Sequence, residues 1–467
     1  MADETHVVSQ LVARARAAQA VADRYDQAQT DRLCAAAAWA IMEPSRNRAL
    51  AELAVHDTGL GNVADKIQKN HRKTLGLIRD LHGAKSVGVI LEDVSTGITE
   101  IARAAGVVGA ITPSTNPGAT PANMIINAMK GRNAIILAPS PKGASTAELL
   151  LRYVHAEFDR IGAPRDLVQV LPSPVNKALT HELLRQVDLV VATGSQANIR
   201  AAYSSGTPAF GVGAGNVAVI VDASADLPLA AERIVRSKIF DNATSCSSEN
   251  SVIIVDAVYD AMVSALTAQG CILLGDEQKS QLQAVMFPGG KLSPAVTARS
   301  ASEIATLAGL SVATSTQVLM VNETGAGSDF PFSGEKLSPV LTVYRVADFE
   351  AATRMVSNIY AYQGAGHSVG IHAAPELADA MALQIGLTLP VSRVIVNQAH
   401  CIATGGSFDN GLPFSLSMGC GTWGGNNFSD NLTYKNFLNI TRIARPITTH
   451  VPDESALFAD YFSFVNR

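Results

Sequence analysis

The sequence lacks the features that mark secreted, membrane-spanning and disulfide-rich proteins. Its five cysteines among 467 residues, at positions 34, 246, 271, 401 and 420, include no CxxC pair of a zinc or redox site. No apolar run reaches the roughly eighteen residues of a membrane span, and residues 1–30 hold no apolar stretch of signal-peptide length. We therefore expect reduced thiols and a soluble, cytoplasmic protein that has no membrane partner.

An excess of positive charge is also missing. Lys and Arg number 36 against 41 Asp and Glu, a net charge of -5, so the sequence offers no global positive field to bind nucleic acid. The ten histidines form no HExxH motif, and we expect no metal site. A GxSxG nucleophile elbow and a Walker loop are absent as well. Aromatic residues make up only 5% of a chain that is 47% hydrophobic, which is a globular composition typical of an α/β protein.

The pattern along the chain predicts an α/β fold with parallel sheets. Residues 8–85 have helical periodicity, and from about residue 105 short β-branched runs alternate with segments of helical length. Predicted strands are 106–112, 133–139, 166–172, 188–194, 251–256, 315–322, 338–346 and 392–397. We expect a cofactor domain over residues 1–234 with a helical lead-in, a catalytic domain over 235–430, and a tail over 431–467.

The segment Asp241-Asn-Ala-Thr-Ser-Cys246-Ser-Ser-Glu-Asn250 places a thiol among small polar residues just before a predicted buried strand. Small neighbours give a substrate access, and nearby hydroxyl and N–H groups favour the thiolate, so the pattern indicates a nucleophile. The alternative is a structural cysteine at a strand end. Cys34 and Cys271 have apolar surroundings that are typical of core positions.

Two loops carry further candidates. Asn116 lies in a Pro-rich turn after a predicted strand, where its amide could hold a developing oxyanion, although a simple Asn-Pro turn is the alternative. The segment Gly211-Val-Gly-Ala-Gly-Asn216 is GxGxG rather than GxGxxG and runs into a strand, so it is not a dinucleotide fingerprint. Its glycines favour close backbone approach to a bound group.

Five motifs in order resemble those of the aldehyde dehydrogenase superfamily over residues 105–440. They are Asn116 in its turn, Thr193-Gly194-Ser195 after a strand, the glycine segment 211–216, Cys246, and Glu335-Lys-Leu-Ser-Pro339. The tail 405–432 resembles the coenzyme A-acylating branch, especially sulfoacetaldehyde and succinate-semialdehyde dehydrogenases. The resemblance implies two Rossmann-like α/β domains with a small oligomerisation element, and a homodimer or homotetramer.

The resemblance also implies roles for named residues. Cys246 attacks the aldehyde, and Asn116 together with the Cys246 N–H holds the oxyanion. The cofactor positions that it implies are Pro113, Ser140, Lys142, Thr193, Gly194, Ser195, Gly211, Glu335 and Leu337. His367 resembles a histidine of acylating relatives and is a candidate for the thioester site, with a structural histidine as the alternative. Apart from the resemblance, the loop with Gly405 and Gly406 could offer N–H groups, and His400 a cationic imidazole, to an anionic substrate; a glycine-rich loop without a ligand is the alternative.

Two departures from the family pattern carry predictions. Gly211 stands where hydrolytic members have a glutamate base, so the acyl group is expected to leave on coenzyme A, and Gly211→Glu is expected to raise the share of free acid. Ser140 and Lys142 occupy the segment where NAD-specific members have a ribose-binding glutamate, which favours NADP over NAD; a solvated Lys142 is the alternative. The leading substrate is sulfoacetaldehyde and the second is succinate semialdehyde. An acyl-phosphate reductase and a non-catalytic relative are the competing interpretations.

Overall fold

The computed structural model describes residues 2–213 and 215–465, and it begins with helices, as the sequence predicts. Asp26 caps the second helix by accepting from Gln29 N, and Asn62 caps the fourth by accepting from Asp65 N. Gly59 ends the third helix with a φ of 65°, a left-handed conformation that glycine adopts without strain. The four helices are α1 Ala2–Ala22, α2 Gln27–Met42, α3 Pro44–Thr58 and α4 Val63–Leu81.

A hairpin that the sequence pattern did not reveal follows α4. Its strands, β1 Gly88–Asp93 and β2 Ile98–Ala104, pair antiparallel around a turn at Gly97. Most of their residues are only partly buried or exposed, so the alternation that identifies a half-buried strand is weak.

The first large sheet is parallel, with the strand order β5-β4-β3-β6-β7. β3, β4 and most of β6 are fully buried, since helices cover both faces. The strands are β3 Val107–Thr112, β4 Ala134–Pro139, β5 Val168–Val170, β6 Leu189–Thr193 and β7 Ala209–Val212. The helices between them are α5 Ala119–Lys130, α6 Ala144–Ile161, α7 Lys177–Gln186 and α8 Gln196–Tyr203.

The second large sheet is also parallel, with the order β10-β11-β12-β9-β8-β13-β14. Its strands are β8 Val217–Val221, β9 Glu249–Val255, β10 Cys271–Leu273, β11 Val318–Asn322, β12 Val340–Val346, β13 Val369–His372 and β14 Val394–Val396. Its helices are α9 Leu227–Ile239, α10 Tyr259–Ala268, α11 Asp276–Met286, α12 Ala301–Leu307, α13 Phe349–Tyr362, α14 Pro375–Thr388 and α15 His400–Ala403.

The chain passes from one sheet to the other earlier than the sequence pattern suggests. β7 belongs to the first sheet and β8 to the second, so the crossing lies in the glycine segment 211–216 rather than at residue 234. α9 packs with the second sheet, because Ala230 and Ile234 share its core with β8. The prediction went wrong because β8 and α9 continue the βα alternation of the first domain without a break.

The tail returns across both sheets. Residues 405–437 are mostly irregular, and β15 Leu438–Ala444 then pairs antiparallel with β2. Phe414 is fully buried in the core of the first domain, and the hydroxyls of Thr193 and Ser417 lie 2.7 Å apart. The chain ends with α16 Glu454–Leu457 and α17 Ala459–Val465. Across residues 2–213 and 215–465, no helix combines the length and the apolar character that a bilayer span requires.

Candidate active site

The loop that carries Cys246 is held in an uncommon backbone conformation. Asp241, Asn242 and Ala243 have φ values of 52°, 51° and 58°, which place three consecutive non-glycine residues in the left-handed region. Each such residue costs on the order of 1 kcal/mol, so contacts elsewhere must stabilise the loop. Asp241 provides them: its Oδ1 accepts from Asn62 N at 3.0 Å, and its own N–H donates to Asp65 Oδ2 at 2.7 Å.

Two buried lysines of α4 complete the support of this loop. Lys66 Nζ and Lys69 Nζ lie 3.1 Å and 2.5 Å from Asp241 Oδ2, and all three side chains are buried. The two ammonium groups hold the pKa of the Asp241 carboxyl below its usual value against the opposing effect of burial. Burial lowers the pKa of Lys66 to about 8, although Asp241 opposes this. The two ammonium groups and the carboxylates of Asp241 and Asp65 thus form a charged cluster beside the cysteine loop.

Lys69 also reaches Asn116. Its ammonium donates to Asn116 Oδ1 at 2.8 Å and to Thr244 Oγ1, two residues before Cys246, at 3.1 Å. Because Oδ1 is occupied by this bond, the Asn116 amide must turn its NH2 group the other way, where it makes no hydrogen bond to the described residues. A free, oriented amide donor is what an oxyanion requires. Lys69 therefore links the predicted oxyanion donor to the loop of the predicted nucleophile.

We expect Asn116→Ala to lower kcat by about 10²–10³-fold with little change in KM for the aldehyde, because the amide acts on charge that develops in the transition state. Lys69→Met should reproduce part of this loss, since the amide would lose the contact that orients it. Steady-state kinetics checks both, with the exposed Lys291→Met as the control for removal of a lysine. Full activity of Lys69→Met would contradict the positioning role.

Cys246 lies against the imidazole of His367. The Sγ–Nε2 distance is 3.4 Å, and Cys246 is the one partly accessible cysteine, since Cys34, Cys271, Cys401 and Cys420 are buried. Gly215 gives this pair room, because a Cβ at that position would lie 2.3 Å from Cys246 O and 3.1 Å from His367 Cδ2. The sequence-predicted nucleophile thus has a polar partner from a distant part of the chain.

The expected effect of the neighbouring hydroxyls on this thiol is not found. Ser245 Oγ and Ser247 Oγ lie 2.8 Å apart and bond to each other rather than to the sulfur. Burial raises the pKa of the Cys246 thiol, and the Glu335 carboxylate raises it further, while the Arg393 guanidinium lowers it. Arg393 itself is buried and donates to the carbonyls of His367 and Gly419 at 3.1 and 3.0 Å. The resting thiol is therefore protonated, and its surroundings must favour the thiolate during reaction.

Glu335 lies at the junction of the two sheets. Its Oε1 accepts from Gly215 N at 3.2 Å, and burial raises the pKa of its carboxyl to about 8. A perturbed carboxyl in such a place is a mark of functional sites. Leu337, two residues on, has a φ of 42° and accepts from Ala298 N through its carbonyl at 2.7 Å.

A cavity of about 210 Å³ opens at the carboxyl ends of β3 and β4, the edge where open α/β sheets bind ligands. Ser140 lines this cavity, whereas Lys142 is exposed on the following turn and does not. Pro113 directly follows Thr112, which does line it. Lys177, Thr180, His181 and Asn198, none of which the sequence pattern singled out, contribute its polar side chains.

Thr193, Gly194 and Ser195 join β6 to α8 as predicted. Gly194 has a φ of 157°, and Ser195 caps α8 by accepting from Asn198 N at 3.4 Å. The Ser195 side chain thus satisfies the N–H of Asn198, and Gly194 N donates to Val212 O at 3.4 Å. The cavity and this loop lie at the same edge of the first sheet, and Asn198 takes part in both.

Gly211 is not the open position that the family alignment suggests. Its N–H and its carbonyl each hydrogen-bond the Tyr203 hydroxyl at 3.1 Å, and a Cβ there would lie 2.8 Å from Ile199 Cγ2. A side chain at residue 211 would therefore be directed into α8. The expected gain of hydrolysis in Gly211→Glu is replaced by an expected loss of packing between α8 and β7. Ala214, in the same segment, lies outside the described residues.

The predicted anion nest at residues 404–407 is also corrected. Gly406 N donates to Ala403 O, and the Gly405 carbonyl accepts from the buried Lys73 at 2.5 Å. The carbonyl groups of Gly405 and Gly406 thus contact the Lys73 side chain here. His400 is fully buried, and its burial lowers the pKa of the imidazole well below its usual value, so the ring is neutral rather than cationic.

Sequence inspection missed Lys69, Ser368 and Arg393. A signal for the first was present: counting back from the apolar Leu81 and Leu77 of α4 in steps of three or four places Lys66, Lys69 and Lys73 on the buried face. Ser368 and Arg393 directly precede β13 and β14 and give no such signal, because their partners His400 and Ser429 lie 32 and 36 positions away.

Comparisons with known proteins agree with this geometry. A model of the aldehyde dehydrogenase family matches residues 2–399. The chain is 65% identical over 462 residues to the acylating sulfoacetaldehyde dehydrogenase of Cupriavidus necator. The aligned region covers 98% of this chain and 93% of that protein. It is 37% identical to the acetylating succinate-semialdehyde dehydrogenase of Clostridium kluyveri, over 93% of this chain and 95% of that protein.

Among solved structures, an acetylating aldehyde dehydrogenase from Geobacillus thermoglucosidasius has a TM-score of 0.92 and 33% identity, over 97% of this chain and 99% of that one. The α/β fold predicted from the strand pattern is confirmed by this match, and so is the resemblance that the ordered motifs indicated.

Proposed function

The chain belongs to the aldehyde dehydrogenase family, and we propose that it is a coenzyme A-acylating enzyme that oxidises sulfoacetaldehyde to sulfoacetyl-coenzyme A. The observation that carries this proposal is the 65% identity, over 98% of the chain, to an acylating sulfoacetaldehyde dehydrogenase. The site supports it, because Cys246 has His367 at 3.4 Å and Asn116 is oriented by Lys69.

The first half of the reaction is oxidation of the aldehyde to a thioester on the protein. The Cys246 thiolate attacks the aldehyde carbon, and a sulfur–carbon bond forms while the carbonyl electron pair moves to oxygen. The Asn116 NH2 group and the Cys246 N–H donate to that oxygen. A bound nicotinamide dinucleotide would supply the hydride acceptor through which the Cys246 adduct becomes a thioester. Glu335 and the 193–195 loop are the residues that would hold it.

The second half is exchange of one thiol for another. The coenzyme A thiolate attacks the thioester, its sulfur–carbon bond forms, and the bond to Cys246 breaks. Hydrolysis competes only if a base activates water. Among the described residues, Glu335 is the carboxyl group that acts on Cys246, and burial raises its pKa to about 8, so near neutral pH it is mostly protonated and is not a base for water. This favours coenzyme A over water as the acceptor.

The charge around Asn116 favours a short anionic aldehyde. The Lys69 ammonium contacts Asn116 Oδ1 and shares the Asp241 carboxylate with Lys66, so a positive group lies next to the oxyanion donor. A sulfonate or carboxylate near the reacting carbon is stabilised by such charge. Succinate semialdehyde, whose carboxylate lies further from its aldehyde group, is the second candidate substrate.

The test is the rate of reduced-cofactor formation with each of the two aldehydes, with and without coenzyme A. We expect a coenzyme A-dependent rate and a higher kcat/KM for sulfoacetaldehyde. A preference for succinate semialdehyde would replace the substrate but keep the acylating chemistry. A rate that coenzyme A does not change would overturn the acylating assignment.

We also propose NADP as the preferred cofactor. Ser140 lies in the cavity at the end of β4 with no carboxylate beside it among the described lining residues, and Lys177 lines the same cavity. A 2′-phosphate would meet a hydroxyl and an ammonium group there. Lys142, exposed outside the lining, is the weaker candidate for this contact.

We expect Ser140→Glu to raise KM for NADP at least tenfold more than KM for NAD, because the new carboxylate would repel the 2′-phosphate. Initial rates with each cofactor measure this ratio. Ser140→Gln is the control, since it has the same length without the charge. If both variants change the two KM values equally, then the 2′-phosphate does not lie at Ser140.

Association of copies through the tail and cytoplasmic location stay predictions. Residues 445–465 are exposed and include apolar side chains such as Val451 and Phe464, which are 80% and 78% exposed. Exposed apolar patches of this kind mark contact surfaces. The mass of the purified protein by light scattering tests association.

A further inference from the structure

A line of three buried polar side chains leads away from Cys246. His367 Nε2 lies 3.4 Å from the sulfur, and His367 Nδ1 lies 2.8 Å from Ser368 Oγ. Ser368 Oγ is in turn 2.8 Å from His400 Nε2. His367, Ser368 and His400 are at most 1% exposed, so water does not interrupt the line.

The number of protons on these side chains limits the possible directions of the hydrogen bonds. The Ser368 hydroxyl has one proton, so it donates to one imidazole and accepts from the other. In one arrangement His400 Nε2–H donates to Ser368, Ser368 donates to His367 Nδ1, and His367 Nε2–H points at the sulfur. In the opposite arrangement His367 Nδ1–H donates to Ser368, Ser368 donates to His400 Nε2, and His367 Nε2 offers a lone pair to the thiol.

His400 Nδ1 decides between the two. It is buried and has no hydrogen-bond partner among the described residues. Gly370 borders it so closely that a Cβ there would lie 2.9 Å away. The opposite arrangement would put a proton on this nitrogen and leave a buried N–H without an acceptor, which is rarer and costlier in proteins than a buried lone pair without a donor.

Both rings are neutral, as either arrangement requires. Burial lowers the pKa of His367 to about 3, and Arg393 lowers it further. His400 is lowered well below its usual pKa by burial and by His367, His372 and Arg393. No carboxylate appears among the groups that act on either ring.

We propose that Ser368 and His400 are positioning residues that hold His367 as its Nε2–H tautomer, so that His367 donates a hydrogen bond to the Cys246 sulfur. This deepens the proposed function, on which it rests for its role in turnover. The N–H stabilises the thiolate that attacks the aldehyde. The same N–H donates to the Cys246 sulfur again in the second half of the reaction. There coenzyme A displaces that sulfur, and the electron pair of the broken sulfur–carbon bond returns to Cys246. His367 is then a hydrogen-bond donor, not the base that removes the thiol proton.

The first test is the pH dependence of Cys246 alkylation by iodoacetamide, located by mass spectrometry, in protein without aldehyde or coenzyme A. Ser368→Ala is expected to shift the apparent pKa upward and to slow alkylation at pH 8 by about tenfold, as expected for the loss of one hydrogen bond to a charged sulfur. Glu335, Cys420 and Arg393 also act on this thiol and are unchanged in the variant.

Two further variants separate tautomer control from general damage. Ser368→Thr keeps the hydroxyl and should restore alkylation. Ser86→Ala removes another fully buried serine hydroxyl, one that accepts from Gln27 outside the site, and should leave alkylation unchanged. Equal alkylation profiles for Ser368→Ala and the unaltered protein would overturn the proposal.

The second test reads the tautomers in the unaltered protein, and variants serve only to assign its signals. Protein with ¹⁵N-labelled histidine reports the protonation of each ring nitrogen, and His367→Gln and His400→Gln assign the signals. The expected result is a protonated Nε2 and an unprotonated Nδ1 on both rings. A protonated Nδ1 on His367 would overturn the proposal even if the substrate assignment holds. Neither readout uses the aldehyde, so failure of the substrate assignment would leave this test intact.

Discussion

Cys246→Ser is expected to abolish aldehyde oxidation, with a fall in kcat of about 10⁴-fold or more, because a hydroxyl in this site lacks both the acidity and the nucleophilicity of a thiol. The structure gives the hydroxyl no compensating base. His367 is the nearest imidazole, burial holds its pKa at about 3, and by our assignment its Nε2 carries a proton that points at the sulfur.

The same variant should bind the dinucleotide as before. The cavity at Ser140 and the 193–195 loop belong to the first sheet, and Cys246 contributes nothing to them. Equilibrium binding followed by fluorescence measures this, while mass spectrometry after incubation with aldehyde and cofactor looks for an acylated protein. Measurable turnover with an acyl group on another cysteine would refute the assigned nucleophile.

Asp241→Asn is expected to lower the free energy of unfolding by about 3–5 kcal/mol, the usual result when one partner of a buried ion pair is removed. Lys66 and Lys69 would keep their charges with only Asp65 nearby. Asparagine has the shape of aspartate and tolerates the left-handed backbone of residue 241, so the change tests charge rather than conformation.

The pH dependence of this loss has a definite sign. The native carboxylate has a lowered pKa, so its stabilisation is complete above the unfolded value of about 3.9 and is lost as the pH falls through the folded value. Lys66 has a folded pKa of about 8, below its unfolded value, so stability rises with pH between about 8 and 10.4. In Asp241→Asn the Lys66 ammonium should release its proton more readily, and the deficit should shrink at pH 9.5.

Chemical unfolding at pH 7 and pH 9.5 measures these effects. Asp226→Asn is the matched control, because Asp226 caps α9 by accepting from Leu229 N and asparagine caps equally well. Adding Lys66→Met to Asp241→Asn should recover part of the stability, since it removes one of the uncompensated charges. A deficit that stays constant with pH would contradict the electrostatic origin.

The sheets could be predicted because each strand carries its own signal. The apolar runs at 106–112, 133–139 and 251–256 overlap β3, β4 and β9, whose residues are all buried, so a continuous apolar run identifies these strands. Most residues of β1 and β2 are not buried and do not alternate, and β2 pairs both with β1 and with β15, more than 300 residues away. Pairing of that range leaves no local trace in the sequence.

The active site likewise has residues that the sequence predicts and supporting contacts that it does not. Cys246, Asn116 and Glu335 could be proposed from ordered motifs, each recognisable in a few residues. The support of these residues could not: Lys69 reaches Asn116 across 47 positions and Thr244 across 175. The orientation of Gly211 towards Tyr203 and Ile199 depends on how α8 packs on β7, so a motif alignment could not tell an open position from a filled one.

The exchange of segments between the two sheets limits how the chain can be divided. α4 supplies the lysines that neutralise Asp241 in the other half, and Phe414, far down the tail, is buried in the core of the first half. A fragment cut at residues 211–216 would therefore lose charge compensation on one side and core packing on the other. Neither half should be expressible as an autonomous unit, and a chimera must graft residues 1–81 and 405–444 together with the first sheet.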